Sequence, residues 1–252
     1  MAADGSWTRF DDSDDKVAGQ QHPPLYHVPP TLSAKVGSLL THVLSFTVFG
    51  LMYYTLKTYV STDGTIGWKS FALHPLLMTV AFAVLGPLGA VSWRTYEHML
   101  GMSHSTTKLL HLVLMLAASV IGAIGVYDMW LVHAGGAEAQ LAKGWDVHFQ
   151  SAHSWIGFMA LVAFCLQALG GLVAFVNPSV GGGSRKAFLP LHVFVGSFAL
   201  FGTLLSIITG ILSLGYRGDN VASKDVYLKM CASLTFLLCA TVALVFAAPK
   251  PQ

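Results

Sequence analysis

The sequence predicts an all-α membrane protein of six transmembrane helices, and three observations carry that prediction. Of its 252 residues 54% are apolar and only 10% charged, whereas a soluble domain carries roughly 25% charged residues. The mean hydropathy is +0.61. Six apolar stretches, at 33–57, 68–93, 108–132, 152–176, 189–214 and 226–247, are each long enough to cross about 30 Å of hydrocarbon at about 1.5 Å of helix per residue. None shows the strict alternation of a strand, and a bilayer admits only helices or closed barrels.

Residues 1–32 read as a disordered cytoplasmic tail, acidic at Asp11, Asp12, Asp14 and Asp15 and then rich in proline at Pro23, Pro24, Pro29 and Pro30. The tail has no apolar stretch of the kind a cleavable signal requires, so the first span is expected to act as its own anchor. Residues 33–248 form one membrane domain with its core at 68–214. Break signals separate the spans: Asp63-Gly64, Gly101 to His104, Gly135-Gly136, Asn177-Pro178 with Gly181 to Gly183, and Gly218-Asp219. Of the fourteen Lys and Arg, eight fall on the side shared by both termini. That bias favours a cytoplasmic N-terminus.

Composition also excludes classes. The formal charge of +2 is spread singly between apolar runs, without the basic patch that nucleic acid needs. Cys165, Cys231 and Cys239 lie within apolar stretches, where they pack as small hydrophobes. No C-x-x-C-H motif is present for covalent haem attachment. Small residues recur in the helices at Gly86 and Gly89, Gly122 and Gly125, Gly170 and Gly171, and Gly202 and Gly210. Close helix packing and clearance for a flat porphyrin both account for them.

Eleven histidines are present, and His42, His74, His111, His153 and His192 fall within or beside predicted spans, where ionisable groups mark function. Four of these, His74, His111, His153 and His192, occupy the first turns of consecutive helices. Consecutive helices run in opposite directions, so the depths alternate and pair His74 with His153 near one surface and His111 with His192 near the other. Two neutral imidazoles from neighbouring helices can occupy both axial positions of one haem, which leaves no open site for oxygen and favours electron transfer. A central bundle of helices 2–5 holding two b-type haems (heme b) is therefore expected. A zinc or proton path would need Asp or Glu at membrane depth. These are expected only in the tail, the loops and helix ends such as Glu97, Asp128 and Asp225. His42 has no partner at matching spacing and is taken as structural.

The segments LHPLLM around His74, TTKLLHLVLM around His111, SAHSWIGF around His153 and LPLHVFVG around His192 resemble, in the same order, the haem segments of the cytochrome b561 family of transmembrane electron carriers. The resemblance covers roughly residues 70–215. It implies bis-histidine haems non-covalently held by His74 with His153 on the non-cytoplasmic side and by His111 with His192 on the cytoplasmic side. It further implies an oxidoreductase passing electrons from cytoplasmic ascorbate to ferric chelates or monodehydroascorbate. A homodimer in an endomembrane vesicle, vacuolar, lysosome-type or plasma membrane follows from the same resemblance. A haem-binding relay subunit with no substrate site of its own is the alternative.

Ascorbate is a monoanion, so its docking site needs positive charge. Arg94, Lys108, Arg185 and Lys186 are the candidates, with Lys108 and Lys186 at positions where the family places basic substrate contacts. Ordinary positive-inside flanking accounts for them equally well. On the other side His133, His148, Gln150 and Ser151 surround the His153 end and are candidate acceptor contacts. The sequence departs from the family in a longer loop between His133 and His153, and in a 94–108 loop that carries His98 and His104 in place of several basic residues.

Overall fold

The computed structural model describes residues 31–61, 63–135, 148–215 and 222–248. Residues 1–30 of the predicted 1–32 tail, residues 136–147 of the loop between His133 and His153, and the Gly218-Asp219 break lie outside the described residues, while Thr31 and Leu32 of that tail already cap and open the first helix. Six helices are long and apolar enough to span a membrane: α1 (Leu32–Val60), α2 (Leu73–Ala90), α3 (His104–Gly135), α4 (Ala152–Val176), α5 (Gly182–Gly215) and α6 (Ala222–Ala247). There is no strand among the described residues. The protein is a multi-pass integral membrane protein.

Two helices begin on side-chain caps: the Thr31 hydroxyl accepts from the Ala34 amide at the head of α1, and Ser151 accepts from Ser154 at the head of α4. The helices differ from the predicted spans at their ends. α5 starts seven residues before the predicted 189, so Arg185 and Lys186 lie in its first turns rather than in a loop. Gly182 and Gly183 stand exposed in the first turn of this helix, whose buried residues begin only at Ala199. α2 widens into a π-helical stretch at Thr79–Leu85, where the Gly86 amide reaches back to the Ala81 carbonyl. Pro87 follows directly and lacks the amide that a regular turn requires there.

The chain wraps α2, α3, α4 and α5 into a ring of four, each packed on the next, while α1 and α6 pack on each other and cover the α2 and α5 side. The dry core lies under that cover, around Val48, Met52, Leu56, Leu204, Leu238 and Val242. On the outside, Phe194, Phe198 and Phe236 are about 70% exposed (72%, 71% and 69%), as side chains that face lipid are. Hydroxyls join the cover to the turn after α2, where Ser38 pairs with Thr95, and join the two cover helices to each other, where Thr41 donates to Thr241 at 3.1 Å.

One sequence expectation holds and another is corrected. His42 is structural: its Nδ1–H donates to the Ser38 carbonyl and its Nε2 accepts from the Tyr96 hydroxyl, each at 2.8 Å. Burial pushes the Tyr96 phenol above its ordinary value, which keeps it a donor. His42 thereby ties α1 to the turn after α2, a partnership across 54 residues that spacing cannot reveal. Asp128 is not at a helix end, because α3 continues to Gly135, and its side chain is wholly buried.

Candidate functional site

His74 enters α2 in its first turn, just ahead of Pro75, and its ring lies 6.2 Å from that of His153 on α4, centroid to centroid and nearly perpendicular at 84°. The Nδ1–H of His74 donates to the Gly125 carbonyl at 2.9 Å, and that of His153 to the Ser206 carbonyl at 2.8 Å. A carbonyl can only accept, so these bonds fix the tautomer with the proton on Nδ1, and an unprotonated Nε2 is the form in which an imidazole donates to a metal. The two rings line a cavity of about 210 Å3 together with Met52, Met78 and Phe82.

The second pair repeats this at the opposite end of the bundle. His111 on α3 and His192 on α5 have ring centroids 6.4 Å apart at 67°. His111 donates from Nδ1 to the Gly89 carbonyl at 2.8 Å. His192 differs: its Nδ1 is buried with no hydrogen-bond partner among the described residues, while the Gln167 amide holds its backbone carbonyl. Phe175 borders the His192 ring edge-on at 5.2 Å, and Trp93 lies 6.1 Å from His111.

Both separations suit a shared metal. An imidazole's bonding nitrogen lies about 1.1 Å from its ring centre, so two imidazoles on opposite sides of one metal at bonds of about 2.0 Å would have centres about 6.2 Å apart. No third His, Cys, Asp or Glu joins either pair among the described residues, so neither resembles a closed zinc site. Between the pairs, Phe82 meets Phe164 edge to face at 5.2 Å and fills the bundle with apolar surface.

The glycines divide by neighbour. A methyl group on Gly122 would meet Phe82 at 2.6 Å and one on Gly125 would meet Met78 at 2.6 Å, so these two serve the approach of α2 to α3. At Gly210 it would meet the His153 ring at 2.7 Å, and at Gly171 the His192 ring at 2.9 Å. Those two glycines seat imidazoles, a role their spacing in the sequence does not disclose.

The basic residues predicted to meet ascorbate are not brought to one point. Lys108 donates to the Phe175 carbonyl at 2.6 Å and Arg185 to the Asn177 carbonyl at 2.9 Å, so both cap the end of α4 beside His192. Lys186 is exposed on the same end of α5. Arg94 instead donates to the Ala248 carbonyl at 2.6 Å, beyond the end of α6. On the opposite side His133 and His148 both line the cavity of His74 and His153. His148 lies flat on Trp130, 3.7 Å between centroids and 9° apart, with His133 at 5.7 Å. Gln150 is exposed and does not line that cavity, whereas Ser151 does. The backbone turns left-handed at Phe149, φ 57, and Phe149 takes the inward position. Trp130 carries no motif of its own in the sequence, although it stands three residues before His133 and so shares its helix face.

Comparison with known proteins identifies the family. The family model for eukaryotic cytochrome b561 matches residues 73–216. A probable ascorbate-specific transmembrane electron transporter 2 of Oryza sativa subsp. japonica is 32% identical over 142 residues, 56% of either chain. An ascorbate-specific transmembrane electron transporter 1 of Zea mays is 29% identical over 184 residues, 71% of this chain and 73% of that one. A lysosomal membrane ascorbate-dependent ferrireductase of Mus musculus is 29% identical over 176 residues, 70% and 67%. The match to the rice relative thus spans little more than half of its length. The family model covers more than half of this chain and contains all four paired histidines, so the chain belongs to the eukaryotic cytochrome b561 family.

Proposed function

We propose that this protein is an ascorbate-dependent transmembrane oxidoreductase, moving electrons from cytoplasmic ascorbate to ferric iron or monodehydroascorbate on the other side. One observation carries the reading: two imidazole pairs, at 6.2 and 6.4 Å, stand at opposite ends of one four-helix bundle. Membership of a b-type cytochrome family implies haem b; two such groups, when bound, would supply reversible one-electron carriers near each surface. His74 with His153, and His111 with His192, are the residues that would hold them. The chain's own contribution is orientation and exclusion. Carbonyls of Gly125, Gly89 and Ser206 fix three of the four rings, and Phe82 with Phe164 keeps water out between the pairs. Lys108, Arg185 and Lys186 place positive charge at the His192 end, which attracts an anionic donor. Trp130, His148 and His133 offer an aromatic and imidazole surface to an acceptor at the other end.

The relay-subunit reading also has an observation in its favour, since Lys108, Arg185 and Arg94 each already spend a donor on a backbone carbonyl. Steady-state reduction by ascorbate separates the two. With a substrate site at this end, Lys108→Ala and Lys186→Ala are each expected to raise the ascorbate concentration for half-maximal reduction about tenfold, the worth of one charge-assisted hydrogen bond. Unchanged rates and unchanged saturation in both variants leave the relay reading standing and the substrate site refuted. We further infer a homodimer, with α1 and α6 as supports without ligands. Mass measurement in detergent is expected to give two chains per particle, and a particle of one chain counts against it.

A further inference from the structure

Asp128 is a buried acid that the proposed electron path leaves unused. It is 0% exposed, on a helix that also forms the wall of the His74–His153 cavity through Val126, Met129, Trp130 and His133. Its Oδ1 accepts the backbone N–H of Lys69 at 2.7 Å. Its Oδ2 is buried with no hydrogen-bond partner among the described residues. A buried carboxylate with an unpaired oxygen is costly and persists where it has a task.

The position of Lys69 shows what that task is. Its backbone is left-handed at φ 62, a conformation that a residue with a side chain adopts only when held. From there the chain turns directly into α2: Ser70 donates its amide to Gly67, Leu73 donates to the Ser70 carbonyl, and His74 follows. The same helix therefore grips the His74 segment twice, one turn apart. Gly125 takes the imidazole N–H and Asp128 takes the Lys69 amide. Three residues of helix rise about 4.5 Å, so the two grips are neighbours on α3, and in a medium of low dielectric a charge there acts strongly on its surroundings.

We propose that Asp128 is a positioning residue for the His74–His153 site that also sets its charge: the carboxylate fixes the turn delivering His74 and favours the oxidised form of the group those imidazoles hold. The proposal rests on the haem reading above. Its physical basis is that a ferric centre carries one more positive charge than a ferrous one, and a nearby fixed negative charge stabilises the former.

The test is a spectroscopic redox titration of purified, haem-loaded protein, with haem content measured alongside. Asp128→Asn removes the charge and keeps an acceptor oxygen for Lys69. It is expected to retain both spectral components and to shift one of them to a more positive midpoint, namely the component that His74→Ala removes. Asp128→Ala, without the acceptor, is expected to lose part of that component, a loss that Asn rescues. Asp128→Glu keeps the charge and is expected to keep the wild-type midpoint even where the longer side chain loosens the turn. Equal midpoints in Asp128→Asn and wild type overturn the proposal, as does an equal shift of both components or a shift in Asp128→Glu as large as in Asp128→Asn. Purified wild-type protein without a Soret band refutes the haem reading itself, a result distinct from any of these.

Discussion

Replacing His111 with alanine is expected to remove one of two haem spectral components and to abolish fast reduction by ascorbate. His74→Ala is expected to remove the other component and to leave ascorbate reduction of the remaining one intact. No C-x-x-C-H motif is present to tether the group covalently, so a haem deprived of one of its two imidazoles would be held only by the other and by packing. About half of the bound haem is expected to be lost in each single variant. The pairs at 6.2 and 6.4 Å require His153→Ala to reproduce the spectrum of His74→Ala, and His192→Ala that of His111→Ala. The measurement is haem content and ascorbate reducibility in all four variants. Loss of one and the same component in His74→Ala and His192→Ala sinks the pairing and the topology together.

Gly210→Val is expected to mimic His74→Ala although it alters no ligand. The first carbon of the new side chain would lie 2.7 Å from Cε1 of His153 and 3.0 Å from its Nδ1, far inside contact distance. The ring must move, and with it the 2.8 Å bond to the Ser206 carbonyl that fixes its tautomer. Gly171→Val is expected to remove the His192 component in the same manner, because its new carbon would meet that ring at 2.9 Å. Gly170→Val is the control: its nearest neighbour is Phe188 at an ordinary 3.6 Å, and both components are expected to persist. Spectra of the three variants at matched protein yield decide the matter. Full retention of both components in Gly210→Val contradicts the seating role.

Much of the architecture was legible because a bilayer allows few solutions. An apolar run of twenty or so residues must be a helix there, and six such runs are six helices with little left to choose. Helix ends were less legible: glycines at 182 and 183 read as a break, yet α5 begins at Gly182, with both glycines exposed in its first turn and no neighbour within 4 Å of either. Two partnerships were out of reach of the sequence for one reason. His42 reads as structural without its partner and Asp128 reads as peripheral because Tyr96 and Lys69 lie 54 and 59 residues away along the chain. Gln150 and Phe149 exchange roles through a single left-handed residue, which no periodicity announces.

By itself, then, the sequence determined the fold class, the number of crossings and the alternating depths of His74, His111, His153 and His192. Each of these follows from local quantities: run length, the rise of about 1.5 Å per residue and the reversal of direction at every loop. Only the tertiary structure decided which atoms serve those histidines. The carbonyls of Gly125, Gly89 and Ser206, the clearance at Gly210 and Gly171, and the grip of Asp128 on Lys69 all join residues of different helices. The physical reason is that a backbone carbonyl is the same group at every position, and a glycine the same absence. What each does is set by the helix that comes to lie against it, and hydrophobic run length carries no record of that rotation or of that neighbour.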